Sequence, residues 1–205
     1  MRRLLRRLKA GLAPAPIATR EALRTFVEER AAFIAQKCAT DYCRGKTGLA
    51  SYALFTEKPF LDAFDVCRWE TFAAVLGDLL ILTEGQLRPH VAPGQQPKLC
   101  AGLAALYGEI LDALPAPAHR PQGWQDASEA FVPRLQRAMD ANVRQAVEVA
   151  GYSAKRLFDT LPIHISMREL DEEVVYGAVR FRMVALSQEM HSRFLPAELA
   201  RALAV

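Results

Sequence analysis

No apolar run in this chain is long enough to cross a bilayer. The best candidate, Phe72 to Thr83, falls short of the roughly 20 residues a hydrocarbon core demands and is interrupted by Asp78. The chain therefore reads as soluble or peripheral. Nor does any stretch alternate polar and apolar residues with a period of two, which leaves no half-buried strand to place. Cysteine is sparse: Cys38, Cys43, Cys67 and Cys100 form no CxxC, and the four histidines form no HxxxH. A structural zinc site needs close ligand pairs of that kind, so no metal is expected. The thiols lie in apolar helical patterns, where free Cys behaves as a small hydrophobe, and this usage points to a reducing, cytoplasmic setting.

Catalytic and cofactor motifs are missing as well. There is no GxGxxG and no GxxxxGK[ST] to cradle phosphate, so no nucleotide cofactor is expected. Three residues before His90, His119, His164 and His191 stand Leu87, Ala116, Leu161 and Gln188, so the Glu-x-x-His of a di-iron bundle is absent. Gly151-Tyr152-Ser153-Ala154-Lys155 begins like a nucleophile elbow, but Lys155 replaces the closing glycine and no strand precedes it.

What is present is helical periodicity almost throughout, in a chain that is 51% hydrophobic. The expected fold is all-α: a single bundle of about six helices over residues 19–205, preceded by a basic arm and Pro-containing linker over residues 1–18. The arm places Leu4, Leu5, Leu8 and Leu12 on one face, with Arg2, Arg3, Arg6, Arg7 and Lys9 around the rest, before Pro14 and Pro16 break the pattern. Met1 to Arg20 holds six basic residues and no acid, whereas the other 185 residues carry a slight acidic excess. Such segregation suits attraction of the arm to an anionic surface. Secretion is not expected, because no apolar run follows the basic residues; an Arg-rich, acid-poor transit peptide would share these features.

Within the body, Thr19 is the expected cap of a helix running to about Cys43, with Leu23, Phe26, Val27, Ala31, Ile34, Cys38 and Tyr42 inward. A helix from about Phe60 to Leu87 is apolar over more than half its circumference and belongs deep in the bundle. Asp126 and Glu129 fit a capping box for a helix ending near Ala150, and Ser166 with Glu169 fits another for a long final helix ending near Phe194. That final helix carries two apolar stripes. One comprises Leu170, Val174, Gly177, Ala178, Phe181, Val184 and Ala185; the other comprises Val175, Val179, Met183, Leu186 and Met190. Such a helix is either central or lends one side to a partner, and the second stripe is the candidate partner-helix face. Arg68 and Asp78 fall inside the apolar arc of the Phe60–Leu87 helix and form a candidate buried polar site, since a buried charge needs a partner.

Phe26 to Lys37, Tyr42 to Gly48, Lys58 to Leu80 with Arg68-Trp69, and Leu161 to Val174 with Arg180-Phe181 resemble a group of small helical alphaproteobacterial proteins of unestablished function. Some of these carry an esterase label. The resemblance spans about half the chain and its motifs are structural, so it implies a helical fold and transfers no functional residue.

The function expected from these features is that of a non-enzymatic helical adaptor or accessory protein. It would act in the cytoplasm, at the inner membrane surface or on a protein complex there. A protein partner is expected, homo-oligomerisation is compatible, and nucleic acid is a poor fit to an acidic body without a stacking or helix-turn-helix motif. The alternative is a small esterase-like hydrolase using an unrecognised site around Ser153 and His164; a ligand-sensing helical domain is a poorer fit.

Overall fold

The computed structural model describes residues 15–204. Among them there are seven helices of eight or more residues, three single helical turns of four residues, and no β-strand. In chain order they are α1 (Arg20–Thr47), the turn α2 (Ser51–Leu54), α3 (Lys58–Leu87), α4 (Gln96–Asp112), α5 (Gln125–Asp140), the turn α6 (Ala146–Val149), α7 (Gly151–Thr160), the turn α8 (Ile165–Arg168), α9 (Glu172–Arg193) and α10 (Pro196–Leu203). The all-α bundle is as expected; among the described residues its helices are more numerous than about six.

The hydroxyl of Thr19 accepts from the Ala22 amide at 3.1 Å and starts α1, as an N-cap residue in extended conformation should. The expected inward stripe of α1 is buried, with Tyr42 half-exposed at its end. The central element is α3, in which every residue from Glu70 to Gly85 is buried. It packs chiefly against α1 and α7, with α4, α5 and α10 completing its surroundings. A helix buried on all sides must be apolar on all sides or have its polar groups matched, and α3 meets both conditions in different stretches.

Three boundaries differ from the sequence expectation. α5 stops at Asp140 because the Arg88 guanidinium takes the carbonyls of Ala138 and Ala141, at 2.6 Å each, and a cation there satisfies the last turn. At its other end Asp126 turns to Arg120 instead of forming a capping box. Ser166 does not cap the long final helix: it lies inside α8, where the His164 ring accepts from the Ser166 amide. α9 starts only at Glu172, after Asp171 has been engaged by Tyr42 and Lys46 of α1 at 2.9 and 2.7 Å.

The arm boundary at residue 18 also moves. Ile17 is buried, its amide donates to the Arg193 carbonyl at 2.8 Å, and its carbonyl accepts from the Leu195 amide at 3.0 Å. The segment from Ala15 onward therefore belongs to the bundle.

The candidate partner-helix face of α9 turns out to be covered by the bundle itself. Val175, Val179, Met183, Leu186 and Met190 are buried inside this chain, against α6, α7, α1 and α3. Leu170, Val174 and Phe181 are 92%, 64% and 76% exposed. The bundle needs only one apolar side of α9, and the opposite side is left facing water.

Candidate functional site

A cleft of about 930 Å³ lies between the C-terminal end of α3, residues 142–146, α6 and the last turns of α9, with Phe194 and Pro196 at its end. Its walls are mainly aliphatic, from Ile81, Leu82, Val143, Val147, Val149 and Val184. Gln86, Asn142, Gln145, Gln188 and His191 supply scattered polar groups. Volume and lining match the usual ligand or peptide groove, an apolar body with a few orienting hydrogen-bonding groups.

Local chemistry holds those walls in place. Glu84 is buried, and Arg88 one turn later binds it with two contacts of 2.8 and 2.7 Å. The same guanidinium grips the end of α5, so one arginine ties α3 to the start of the Asn142–Ala146 segment. Val143 crosses α3 over Gly85, where an added Cβ would lie 2.9 Å from Val143 Cγ1. A glycine there permits the close approach. The Nδ1 of His191 lies 2.7 Å from the Ser187 carbonyl and 3.1 Å from Gln86 Nε2, two contacts that hold the ring at the cleft margin.

A second polar assembly lies further up α3. Glu70 receives Arg120 Nε at 2.5 Å, both Nε (3.1 Å) and Nη2 of Arg156, and His119 Nε2 at 3.0 Å. Burial alone would raise its carboxyl, but Arg120, Arg156 and His119 overcome that and hold it down at about 2. Asp78, fully buried, accepts from Arg134 Nη2 at 2.5 Å and from the Ser153 amide at 3.1 Å. There the balance tips the other way: burial pushes Asp78 up to about 6 despite Arg134 and Ser153. Arg134 stacks on Tyr152 at 3.4 Å from the ring centre, and Arg120 on Trp124 at 4.4 Å. A cavity of about 210 Å³ beside these groups is lined by Tyr107, Tyr152, Ala73 and the three arginines. Each of those arginines is already committed to a carboxylate, so the assembly works as internal bracing that draws α5, α7 and the loop before α5 onto α3.

The sequence-derived sites are redistributed accordingly. Asp78 is buried and paired, but Arg68 does not meet it: Arg68 lies at the edge of α3, against Gln36 at 2.9 Å and Asp65 at 3.1 Å. The arm residues Arg2, Arg3, Arg6, Arg7 and Lys9 lie outside the described residues. Ser153 is sealed from solvent with its hydroxyl donating to the Ala150 carbonyl at 3.2 Å, while His164 is engaged with Ser166 in its own turn. The structure thus does not bring Ser153 and His164 together as nucleophile and base. All four cysteines are buried, and burial raises the thiols of Cys38 and Cys67 to about 11 and that of Cys43 to about 12. They are not thiolates at neutral pH. Among the described residues no group of three or more His, Cys, Asp or Glu is placed to hold a metal ion, and no helix is long and apolar enough to cross a membrane.

Glu70, Glu84, Arg88, Arg120, Arg134 and Arg156 were not singled out by the sequence. Only Glu84 and Arg88 carried a local signal, a four-residue spacing of opposite charges within an apolar helix. No protein-family model, curated protein or solved structure matches the chain.

Proposed function

We propose that this protein is a non-enzymatic helical adaptor that receives an apolar segment of a protein partner in the cleft between α3, α6 and α9, and that its basic arm draws it to an anionic membrane surface. The observation that carries the reading is the cleft itself: about 930 Å³, aliphatic-walled, and braced at one side by Arg88. An amphipathic helix seats a few aliphatic side chains in such a groove, and Gln86, Gln145 and His191 at its margin would fix register by hydrogen bonds. The arm supports the membrane part of the reading through charge, at about 1 kcal/mol for each Lys or Arg near an anionic surface. Two signals of modest strength, one electrostatic and one apolar, combine into stable recruitment.

The test is capture of partners from the native cell with three forms: wild type, Val143→Glu/Val147→Glu, and a form lacking residues 1–14. Both valines are exposed, so the double substitution should leave the melting temperature within a few degrees of wild type. The expected outcome is a partner recovered by wild type and lost with the cleft variant, while the shortened form keeps the partner and no longer co-sediments with anionic liposomes. An identical partner set for wild type and the cleft variant would refute the reading.

A further inference from the structure

We infer that residues 1–14 seat their leucine face in the cleft between α3, α6 and α9 of the same chain, so that the arm closes the cleft until a partner displaces it. The inference deepens the proposed function and rests on its reading of the cleft as a docking groove. The place where the described chain begins supplies the first argument. The Ala15 carbonyl accepts from Arg193 Nε at 3.1 Å, and Ile17 pairs through its backbone with Arg193 and Leu195. Those contacts fix the root of the arm at the last turn of α9, beside Phe194, which itself lines the end of the cleft. At about 3.5 Å per residue, Leu12 lies within about 10 Å of Ala15 and Leu8 within about 25 Å. So short a tether corresponds to an effective concentration of roughly millimolar at the cleft.

Complementarity supplies the second argument. Leu5, Leu8 and Leu12 stand at i, i+3 and i+7, with Leu4 one turn ahead of Leu8, the anchor spacing that an amphipathic helix presents to an apolar groove. The cleft offers Ile81, Leu82, Val143, Val147 and Val184 to receive them. Its charges accept a basic segment: Glu84 and Arg88 neutralise each other in the wall, and the exposed Asp140 and Glu148 flank Arg144 in the chain. Arg2, Arg3, Arg6, Arg7 and Lys9 fall off the leucine face and stay in water when it is seated. A partner helix must then bind more tightly than the tethered arm, which confers selectivity on the groove.

Two measurements on the full chain test this without any partner. Residues 142–144 belong to no helix, so their amides exchange with solvent whenever they are uncovered. Hydrogen exchange over residues 142–149 is expected to speed up tenfold or more in Leu5→Ser/Leu8→Ser/Leu12→Ser, with exchange in α1 unchanged. Trypsin cleavage after Arg6, Arg7 and Lys9 should likewise speed up tenfold or more in Val143→Glu/Val147→Glu, with cleavage after Lys155 unchanged. Rates equal to wild type in either variant overturn the seat. Protection that grows with protein concentration would place the arm of a second copy in the cleft and overturn the intramolecular arrangement. Partner capture separates this inference from the proposed function: the leucine variant should recover more partner than wild type, whereas the same rate changes with no partner recovered would keep the seat and refute the partner reading.

Discussion

Asp78 and Glu70 lie two turns apart on α3, yet their carboxyls are displaced in opposite directions. The difference follows from the number of cations each one gathers against its burial: Glu70 has Arg120, Arg156 and His119, whereas Asp78 is sealed with Arg134 and one amide. The two leave opposite marks on stability. Glu70, lowered to about 2, contributes stability that is complete above its ordinary range and is lost as pH falls from about 4.5 toward 2. Asp78, raised to about 6, contributes stability that is complete below about 3.8 and is lost as pH rises through 6. Wild type should therefore gain on the order of 1 kcal/mol over Asp78→Asn when pH is lowered from about 7.5 to 5, a window in which Glu70 stays ionised. Urea melts of both proteins at the two pH values measure it, and a parallel shift of both would show that Asp78 does not titrate there.

At the scale of the helix, close backbone contact matters as much as side-chain packing. α10 docks on α4 where the Leu203 carbonyl oxygen lies only 2.2 Å from the place a Cβ of Gly102 would occupy. The group in the way is backbone, which cannot rotate aside. Gly102→Ala should force α10 away from α4 and lower stability by roughly 1–3 kcal/mol, even though alanine is the better helix former, and denaturant midpoints will report it. Helix existence was legible in the sequence wherever the information is local: the stripe of α1, its Thr19 cap and the burial of α3 all follow from spacing within a few turns. Helix ends were less so, because Ala141 and Asp171 are fixed by Arg88, Tyr42 and Lys46 from other elements. The braces on α3 were not legible, since Arg120 and Arg156 lie 50 and 86 residues beyond Glu70 in the chain. The two stripes of α9 could be found but not ranked, because periodicity reports that a face is apolar and not which neighbour covers it.

For the whole molecule, the contact of Ile17 with Arg193 and Leu195 joins the two ends of the described chain. Ile17 contributes a buried side chain and two backbone hydrogen bonds. Removal of residues 1–14 should leave the melting temperature close to that of the full chain, whereas removal of residues 1–18 should cost about 2–4 kcal/mol through the vacated Ile17 site. Calorimetry of the two truncations separates them; equal melting temperatures would place Ile17 outside the cooperative unit. The same joint bears on the order of events during synthesis. Residue 17 emerges from the ribosome long before residue 195 has been added, so the segment ahead of α1 waits with Ile17 uncovered until the end of α9 has been made. Closing it spans 178 residues, from Ile17 to Leu195, and carries a correspondingly large loop entropy. A nascent chain stalled before the end of α9 thus presents an apolar residue that the folded bundle conceals, a mark by which quality control could tell an unclosed bundle from a closed one.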